Sequence, residues 1–254
     1  MNPPKATDRD EPLRLDLALV ARGLAPSRAR ARDAIRRGHV TVGGVATDKP
    51  AAIVPPDVPI AILDPADGYV SRAALKLIAG LDHFGYSPDG RVALDIGAST
   101  GGFTEVLLRR GARRVFGVDV GRGQLHQRLA GDPRVVNLEG VNARDLPAAR
   151  ISAPIEAITA DVSFISLRLA LPPALALARP GSWGVFLVKP QFEVGRGHVG
   201  KGGIVRDAAV ARGAADEIAR WLTETQGWQI DGLIDSPIAG GDGNHEFLLG
   251  ARHG

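Results

Sequence analysis

Two lysines and two acids stand where they could carry out proton transfer together. Asp161 and Lys189 each follow an apolar run that reads as a strand, Glu246 opens the last apolar run, and Lys76 lies in a predicted helix. An alkyl hydroxyl is a poor nucleophile until a nearby general base removes its proton. A second lysine nearby favours the neutral form of a lysine base, and carboxylates oppose this effect. Taken singly, each residue could equally be a surface residue or half of a structural ion pair.

The elements that must position these residues alternate between strands and helices. Strands are predicted at 91–96, 114–120, 134–139, 155–161, 184–189, 229–235 and 246–251, and helices at 71–82, 102–110, 123–130, 166–178 and 207–226. Repeated β-α units predict an α/β fold with an open, largely parallel sheet that binds its ligand at the carboxyl ends of the strands. Asp161 and Lys189 then share one sheet edge, and Glu246 joins them if the last strand runs antiparallel.

A glycine-rich turn, DIGASTGG at 95–102, follows the first of these strands. Such turns let a nucleotide-type ligand approach the backbone, and an acid that ends the next strand, Asp119, is placed for ribose hydroxyls. Asp95 would favour an ammonium group and disfavour a pyrophosphate, so the spacing favours S-adenosylmethionine over a dinucleotide. A nicotinamide oxidoreductase is the alternative. The predicted cofactor residues are Asp95, Gly97, Ala98, Ser99, Thr100, Gly101, Gly102, Phe103, Asp119, Val120, Asn142 and Asp161.

The residue types also narrow the choice of methyl acceptor. The chain has no cysteine, whereas methylation of pyrimidine carbon 5 generally uses a cysteine nucleophile. The stretch ADVSF at 160–164 lacks the prolines typical of enzymes that methylate exocyclic base nitrogens. An alkyl hydroxyl such as the ribose 2′-hydroxyl therefore fits best. The six histidines are scattered without metal-ligand spacing, so we expect no metal site.

The first segment, residues 13–63, has the pattern of a small RNA-binding module. Ser27 is placed to cap a basic helix that Gly38 ends, and a hairpin is predicted around Gly43 and Gly44. Five arginines without lysines suit phosphate recognition better than mere solvation of a helix face. The segment resembles the RNA-binding module named for ribosomal protein S4, a small α+β domain. The predicted RNA-binding residues are Arg28, Arg30, Arg32, Arg36 and Arg37, together with Arg196 and Lys201 in the glycine-rich loop 195–203.

The domain organisation predicted from these patterns has four parts. Residues 1–12 form a disordered tail, 13–63 the small α+β domain, 64–70 a linker and 71–254 the Rossmann-like sheet domain. The net charge is only +3, so local clusters of arginine are more informative than the total. No apolar run is long enough to span a bilayer, and the N-terminus lacks a secretion signal. We therefore expect a cytoplasmic protein and find no physical support for a membrane-active lysin.

The chain as a whole resembles the TlyA family, also called haemolysin A, and its catalytic part resembles the FtsJ-like ribose 2′-O-methyltransferases. The resemblance rests on YVSRAALK (69–76), DIGASTGGFTEVLL (95–108), DVGRGQL (119–125), DVSFISL (161–167) and LVKPQFEVG (187–195). It implies S-adenosylmethionine-dependent 2′-O-methylation of cytidine in ribosomal RNA of the small subunit, the large subunit or both. It further implies that Lys189 is the general base, that Asp161 and Lys76 orient it, and that Glu246 supports the hydroxyl. A noncatalytic RNA-binding or ribosome-assembly factor is the alternative.

Overall fold

The computed structural model describes residues 11–63, 65–240 and 243–254, and these form two compact units. The units part between Asp67 and Gly68. Residues 1–10 of the predicted tail and Asp64 of the predicted linker lie outside the described residues. In the described part of the chain, no helix is long and apolar enough to cross a membrane.

The first unit packs two helices against short strands. Its elements are β1 (Leu13–Arg14), α1 (Leu15–Ala21), α2 (Arg28–Arg36), β2 (Val40–Val42), β3 (Val45–Thr47), β4 (Ile53–Val54) and β5 (Ile60–Ile62). The strands pair as β1-β4 and as an antiparallel sheet in the order β3-β2-β5. Ser27 caps α2 by accepting a hydrogen bond from the backbone N–H of Arg30, and a two-residue turn at Gly43 and Gly44 joins β2 to β3 with Val42 opposite Val45. The predicted cap and hairpin are thus confirmed.

The second unit alternates strands and helices. It contains α3 (Ala73–Phe84), β6 (Val92–Ile96), α4 (Gly102–Arg109), β7 (Arg114–Asp119), α5 (Gln127–Ala130), β8 (Val135–Glu139), β9 (Ile155–Ala160), α6 (Leu167–Ala170), α7 (Pro172–Leu175), β10 (Ala178–Val188), α8 (Pro190–Glu193), α9 (Ala208–Gln226), β11 (Trp228–Asp235) and β12 (Phe247–His253). Apolar clusters lie on both faces of the sheet that these strands form. The strands β6 and β9 are buried along their whole length, as expected for strands covered on two sides.

The seven strands form one sheet in the order β11-β12-β10-β9-β6-β7-β8. The pairs among β10, β9, β6, β7 and β8 are parallel, and β12 runs antiparallel to both of its neighbours. The start of β12 therefore lies at the same edge as the ends of β9 and β10, where Val188 pairs with Phe247. The predicted α/β class and the largely parallel sheet are confirmed, and the last strand is antiparallel, which is the condition under which Glu246 was expected at this edge.

Three predicted elements differ from the observed ones by more than one or two residues. The helix predicted at 123–130 begins only at Gln127, because the carboxylate of Glu139 binds the backbone N–H groups of residues 123–125 and holds them in a loop. The helix predicted at 166–178 is two short helices that meet at Leu171, where Pro172 begins the second. Strand β10 begins at Ala178, well before the predicted residue 184, with a register irregularity before Trp183.

The last residues of the predicted linker are bound within the second unit. The backbone N–H of Val70 donates to Oε2 of Glu105 at 2.6 Å, and the guanidinium of Arg109 lies 4.2 Å from the ring centroid of Tyr69. Both partners belong to α4. These two residues are therefore part of the sheet unit and are not a free connector.

Candidate active site

Lys189 is the centre of a polar cluster at the carboxyl edge of the sheet. It follows the last residue of β10, and its Nζ lies 2.6 Å from Oδ1 of Asp161, which follows the last residue of β9. The same Nζ donates to the hydroxyl of Ser163 at 2.9 Å. The lysine and aspartate side chains are only 11% and 16% exposed. Two adjacent parallel strands thus deliver an amine and a carboxylate to one point.

Lys76 and Glu246 form the second charged pair. Nζ of Lys76 lies 2.5 Å from Oε2 of Glu246, and both residues are nearly buried, at 7% and 2% exposed. Lys76 reaches this edge from α3, which packs on the sheet because Gly80 lets it approach Val185 closely. Glu246 directly precedes β12. A buried carboxylate that loses its lysine would be left uncompensated, so the pair fixes both side chains.

A cavity of about 320 Å³, here called cavity A, lies beside the ends of β6, β7 and β9. Its walls are mixed, with apolar and polar side chains in nearly equal number. The lining residues are Gly97, Ser99, Val118, Asp119, Val120, Gln124, Val141, Asn142, Ala143, Asp161, Val162, Ser163, Phe164 and Ile165. Of these described lining residues, two are acidic and none is cationic. Such a cavity suits a ligand with hydroxyl or amine donors and does not suit a phosphate.

A second cavity of about 190 Å³, cavity B, adjoins cavity A at the glycine turn. It is lined by Ser71, Ala73, Gly97, Ala98, Ser99, Thr100, Gly102, Phe103, Asp161, Ser163 and Lys189. Gly97 has φ +82°, and a Cβ there would lie 2.5 Å from the backbone oxygen of Asp161. Only glycine therefore lets the turn after β6 pack against the end of β9, and this contact places the Asp161 carboxylate in both cavities.

A third cavity of about 440 Å³, cavity C, opens on the other side of Lys189. Its lining residues are Ser163, Phe164, Lys189, Gln191, Phe192, Gly202, Gly203 and Glu246. Phe164 is 91% exposed with a left-handed φ of +66°, and its ring centroid lies 5.2 Å from that of Phe192. Ser163 lines all three cavities, and Lys189 borders both cavity B and cavity C.

Asp119 organises the loop around cavity A. Its Oδ2 accepts from the backbone N–H of Ser99 at 2.8 Å, and its Oδ1 accepts from that of Gly121 at 2.7 Å. A carboxylate has further lone pairs, so the side chain can still accept from a ligand hydroxyl. Asn142 also lines this cavity, and its side-chain oxygen caps the following turn by accepting from the N–H of Arg144.

Two predicted cofactor residues do not line these cavities. Asp95 is fully buried, and its carboxylate accepts hydrogen bonds from the hydroxyls of Thr104 at 2.7 Å and Thr159 at 3.0 Å. Burial raises the pKa of Asp95 to about 6, although the two threonine hydroxyls favour the charged form. Gly101 packs against Leu129, where a Cβ would lie 2.2 Å from Cδ1. Both residues shape the turn from inside, Asp95 through its bond to Thr104 of α4 and Gly101 through its packing against Leu129 of α5.

The arginines of α2 divide into two groups in the structure. Arg28 and Arg32 donate to Oδ2 of Asp16 at 2.9 and 2.8 Å, and Arg37 pairs with Asp33 at 2.5 Å. Asp16 is fully buried. Arg30 and Arg36 are exposed and form no ion pair with any residue that the structure describes. Of the five predicted RNA-binding arginines, these last two are therefore the ones whose charge is not already engaged.

The glycine-rich loop holds the two remaining predicted RNA contacts. Lys201 is exposed in this loop, and the side chain of Arg196 lies outside the described part of the structure. Asn244 braces the loop, since its amide accepts from the N–H of Val205 and donates to the carbonyl of Gly203. Among the described residues, no group of three or more histidine, aspartate or glutamate side chains could hold a metal ion.

The cavities contain residues that were not predicted from the sequence. Ser163, Phe164 and Gln191 line the space around Lys189. The first two lie in DVSFISL and the third in LVKPQFEVG, the stretches that carry the family resemblance. These motifs contained the signal, but neither periodicity nor strand-end position marks which of their polar and aromatic side chains face a cavity.

Comparison with known proteins identifies the family. Residues 69–253 match the FtsJ-like methyltransferase family, which is well over half of the chain. The chain belongs to the FtsJ-like methyltransferases. Residues 13–60 match the S4 domain, so the FtsJ-like part is joined to an S4 domain, as the sequence resemblance implied.

Similar proteins combine the same two parts of the chain. This FtsJ-like chain is 45% identical to the 16S/23S rRNA (cytidine-2′-O)-methyltransferase TlyA of Mycobacterium tuberculosis, over 94% of this chain and 89% of the relative. It is 38% identical to Hemolysin A of Brachyspira hyodysenteriae, over 93% of this chain and 98% of the relative. A solved structure of a candidate hemolysin from Streptococcus thermophilus is 36% identical, with a TM-score of 0.74 over 95% of this chain and 88% of that one.

Proposed function

We propose that this protein transfers a methyl group from S-adenosylmethionine to the 2′-hydroxyl of a cytidine in ribosomal RNA. The observation that carries the proposal is the position of Lys189 between cavities B and C, bonded to Asp161 and Ser163. The activity printed for the M. tuberculosis relative, 16S/23S rRNA (cytidine-2′-O)-methyltransferase, supports the choice of acceptor. A ribosomal RNA substrate also agrees with the S4 match and with a cytoplasmic location.

The residues of cavities A and B fit S-adenosylmethionine. Asp119 is placed to accept from ribose hydroxyls, Asn142 and the apolar walls of cavity A to hold the adenine, and Asp161 to accept from the ammonium group in cavity B. The absence of cations among the described lining residues of cavity A argues against a pyrophosphate ligand. When bound, S-adenosylmethionine supplies the methyl group on an electrophilic sulfonium.

Lys189 acts as the general base in this proposal. A neutral amine has two N–H donors and one lone pair. If the two N–H groups bind Asp161 and Ser163, the lone pair of the amine remains available for a third partner. Because Lys189 also lines cavity C, a substrate hydroxyl in that cavity can be this partner. The lysine then takes the proton of the 2′-hydroxyl as the oxygen attacks the methyl carbon. Asp161 and Ser163 hold the amine in place, and Asp161 stabilises the ammonium that forms.

Glu246 and Lys76 fix the acceptor side of the site. Glu246 lines cavity C and uses Oε2 to bind Lys76. Its remaining lone pairs can accept from the ribose hydroxyl and so orient it towards Lys189. Lys76 neutralises a carboxylate that would otherwise be buried without a partner. The two pairs thus have separate tasks: one moves the proton and the other holds the hydroxyl.

Phe164 supplies a surface on which the acceptor base can stack. It is the most exposed large apolar side chain of the described residues, and it sits at the rim of cavity C against Phe192. Proteins that act on a single nucleotide stack the unpaired base on aromatic rings. A left-handed backbone at a residue other than glycine is strained, and base stacking would explain why Phe164 is held exposed there.

The proposed domain organisation assigns the RNA and the chemistry to separate parts. Residues 13–63 bind RNA through Arg30 and Arg36, with Lys201 and Arg196 of the sheet domain as further contacts. Residues 71–254 carry the reaction. The engagement of Arg28 and Arg32 with Asp16 assigns these two a structural role in addition to any phosphate contact.

The test is methyl transfer by Lys189→Ala to ribosomal subunits that lack the modification. With labelled S-adenosylmethionine, we expect the wild type to form an alkali-resistant linkage at one or more cytidines. The variant should lose about 10²- to 10⁴-fold in rate, the range for loss of a general base, while its RNA and cofactor affinities stay near wild type. Arg220→Ala, which removes an exposed cation from α9 of the sheet unit, is the control and should retain transfer.

Two results would contradict the proposal at different levels. If the wild type labels no ribosomal RNA, the assigned reaction is wrong. If the wild type labels cytidine and Lys189→Ala does so at a similar rate, the reaction stands and the assignment of the base is wrong.

A further inference from the structure

Gln191 places an unused hydrogen-bond acceptor beside the proposed general base. It is the second residue of α8, two positions after Lys189, and it lines cavity C together with Lys189 and Glu246. Its Oε1 is buried and accepts no hydrogen bond from any residue that the structure describes. Buried polar atoms in native proteins are almost always paired, so this oxygen calls for an explanation.

The described neighbours in the cavity form no hydrogen bond to this oxygen. Nζ of Lys189 donates to Asp161 and Ser163, and the Glu246 carboxylate is itself an acceptor bound by Lys76. Phe164 and Phe192 have no polar side-chain atoms. A buried acceptor left unpaired is destabilising. When the Gln191 amide turns its oxygen towards cavity C, a ligand N–H there pairs with it, whereas a ligand oxygen is repelled.

The bases differ in this respect. Cytosine carries a donor, the exocyclic N4 amino group, where uracil carries the acceptor O4. We infer that Gln191 selects cytidine over uridine, its Oε1 accepting a hydrogen bond from the N4 amino group of the acceptor base. The inference rests on the proposed function and names the residue that reads the base. The hydrogen bond to Gln191 would distinguish bases with an amino group from bases with a keto group. The shape of the cavity would distinguish a pyrimidine from a purine.

The short connection to Lys189 makes base recognition and chemistry interdependent. Only Pro190 stands between the two residues, and its ring restricts the backbone at the start of α8. A base held by Gln191 therefore places its own ribose at a fixed distance from the lysine amine. A base that Gln191 cannot hold leaves the 2′-hydroxyl out of line, and small misplacements of reacting groups lower rates strongly. Selection should accordingly appear in kcat/KM for methyl transfer.

The experiment is a double-mutant cycle in which the side-chain amide of Gln191 and the acceptor base of the RNA are each replaced. Full-length wild type and Gln191→Met are compared on RNA whose mapped acceptor nucleotide is cytidine, uridine or the 4-deamino analogue of cytidine. In the wild type, removal of the amino group should lower kcat/KM about 10- to 100-fold, the factor for an unpaired buried acceptor. In Gln191→Met the same removal should have an effect within about threefold, because the partner is already gone.

Two further variants separate recognition from folding and general damage. Gln191→Glu keeps an acceptor at this position and should keep the preference for cytidine over uridine even if its absolute rate falls. Gln229→Met, an exposed glutamine on β11, is the matched control and should keep the wild-type ratio. A preference that is as large in Gln191→Met as in the wild type would overturn the inference while leaving the proposed function intact. A wild type that methylates no RNA would overturn both.

Discussion

Asp95 shows how a single buried acid can affect the pH dependence of the whole fold. It is fully buried and bonded by Thr104 and Thr159, and burial raises its pKa to about 6, above the ordinary 3.8. The folded protein therefore holds the Asp95 proton more tightly than the unfolded chain does. The contribution of this group to stability is fully present below about pH 4 and is lost as the pH rises through about 6.

Asp95→Asn should remove this dependence. A pKa difference of about two units corresponds to about 3 kcal/mol, so the variant should gain stability relative to wild type by up to this amount between about pH 4 and pH 7. The measurement is urea unfolding of the sheet unit at several pH values, followed by tryptophan fluorescence, since all tryptophans lie in that unit. Asp82→Asn, an exposed acid paired with Arg110, should leave the pH slope unchanged. An equal slope in Asp95→Asn and wild type would contradict the prediction.

At the level of residues, the position of a residue at the end of a strand correctly predicted the edge of the sheet at which it lies. Asp161, Lys189 and Glu246 were placed correctly at one edge because the sheet topology determines where strand ends meet. Asp95 was expected to face the cofactor, but its side chain turns inward to two threonines. Gln191 was not predicted at all. Which way a side chain points at a strand end depends on its packing neighbours, and these are distant in sequence.

At the level of elements, Asp16 of α1 binds three guanidinium groups, two of which come from α2. Arg14, Arg28 and Arg32 all bond its carboxylate. Burial alone would raise the pKa of Asp16, but the hydrogen bonds from Arg14, Arg32 and Arg28 hold it well below its usual range. The stabilisation is therefore present above about pH 4 and is lost as the pH falls through the lowered pKa. Two arginines of the basic face of α2 therefore stabilise the packing of this small unit.

Asp16→Asn should loosen the contact between these two helices. The arginines keep access to water, so the expected loss is about 1–3 kcal/mol, below the figure for a wholly buried pair. Hydrogen exchange of the α1 and α2 amides should accelerate at neutral pH, with little change in the sheet unit. Asp33→Asn breaks only a half-exposed pair with Arg37 and should have an effect of about 0.5 kcal/mol or less. Equal exchange rates in Asp16→Asn and Asp33→Asn would show that Asp16 does not stabilise the contact between the two helices.

Elements were predicted well where the hydrophobic pattern extends over many residues. They were predicted poorly where side chains from distant parts of the chain bind the backbone. Helix α9 was predicted nearly to the residue, because Asp207 caps it and Gly227 ends it with φ +70°. The loop before α5 was predicted as helix, since the carboxylate of Glu139 that holds its N–H groups comes from another strand. Such a long-range cap leaves no local trace in the sequence.

At the level of the whole molecule, the charges that could bind RNA are fewer than the sequence suggests. Of the five arginines between residues 28 and 37, three are paired with Asp16 or Asp33, and Arg30 and Arg36 are exposed without an ion pair among the described residues. A formal net charge of +3 on 254 residues makes nonspecific attraction weak. RNA affinity should therefore depend on a small number of defined phosphate contacts.

The double variant Arg30→Gln and Arg36→Gln tests this view. Each phosphate contact contributes about 0.7–0.9 to the slope of log affinity against log salt, so the magnitude of the slope should fall by about 1.4–1.8. Affinity for a ribosomal RNA fragment should drop most at low salt, where counterion release contributes most, and cofactor affinity should not change. The control removes the same charge from α9, through Arg212→Gln and Arg220→Gln. If both double variants bind RNA with the same affinity and slope, the first unit does not contact phosphates through these arginines, and recognition must lie in the sheet domain, where Lys201 becomes the residue to replace.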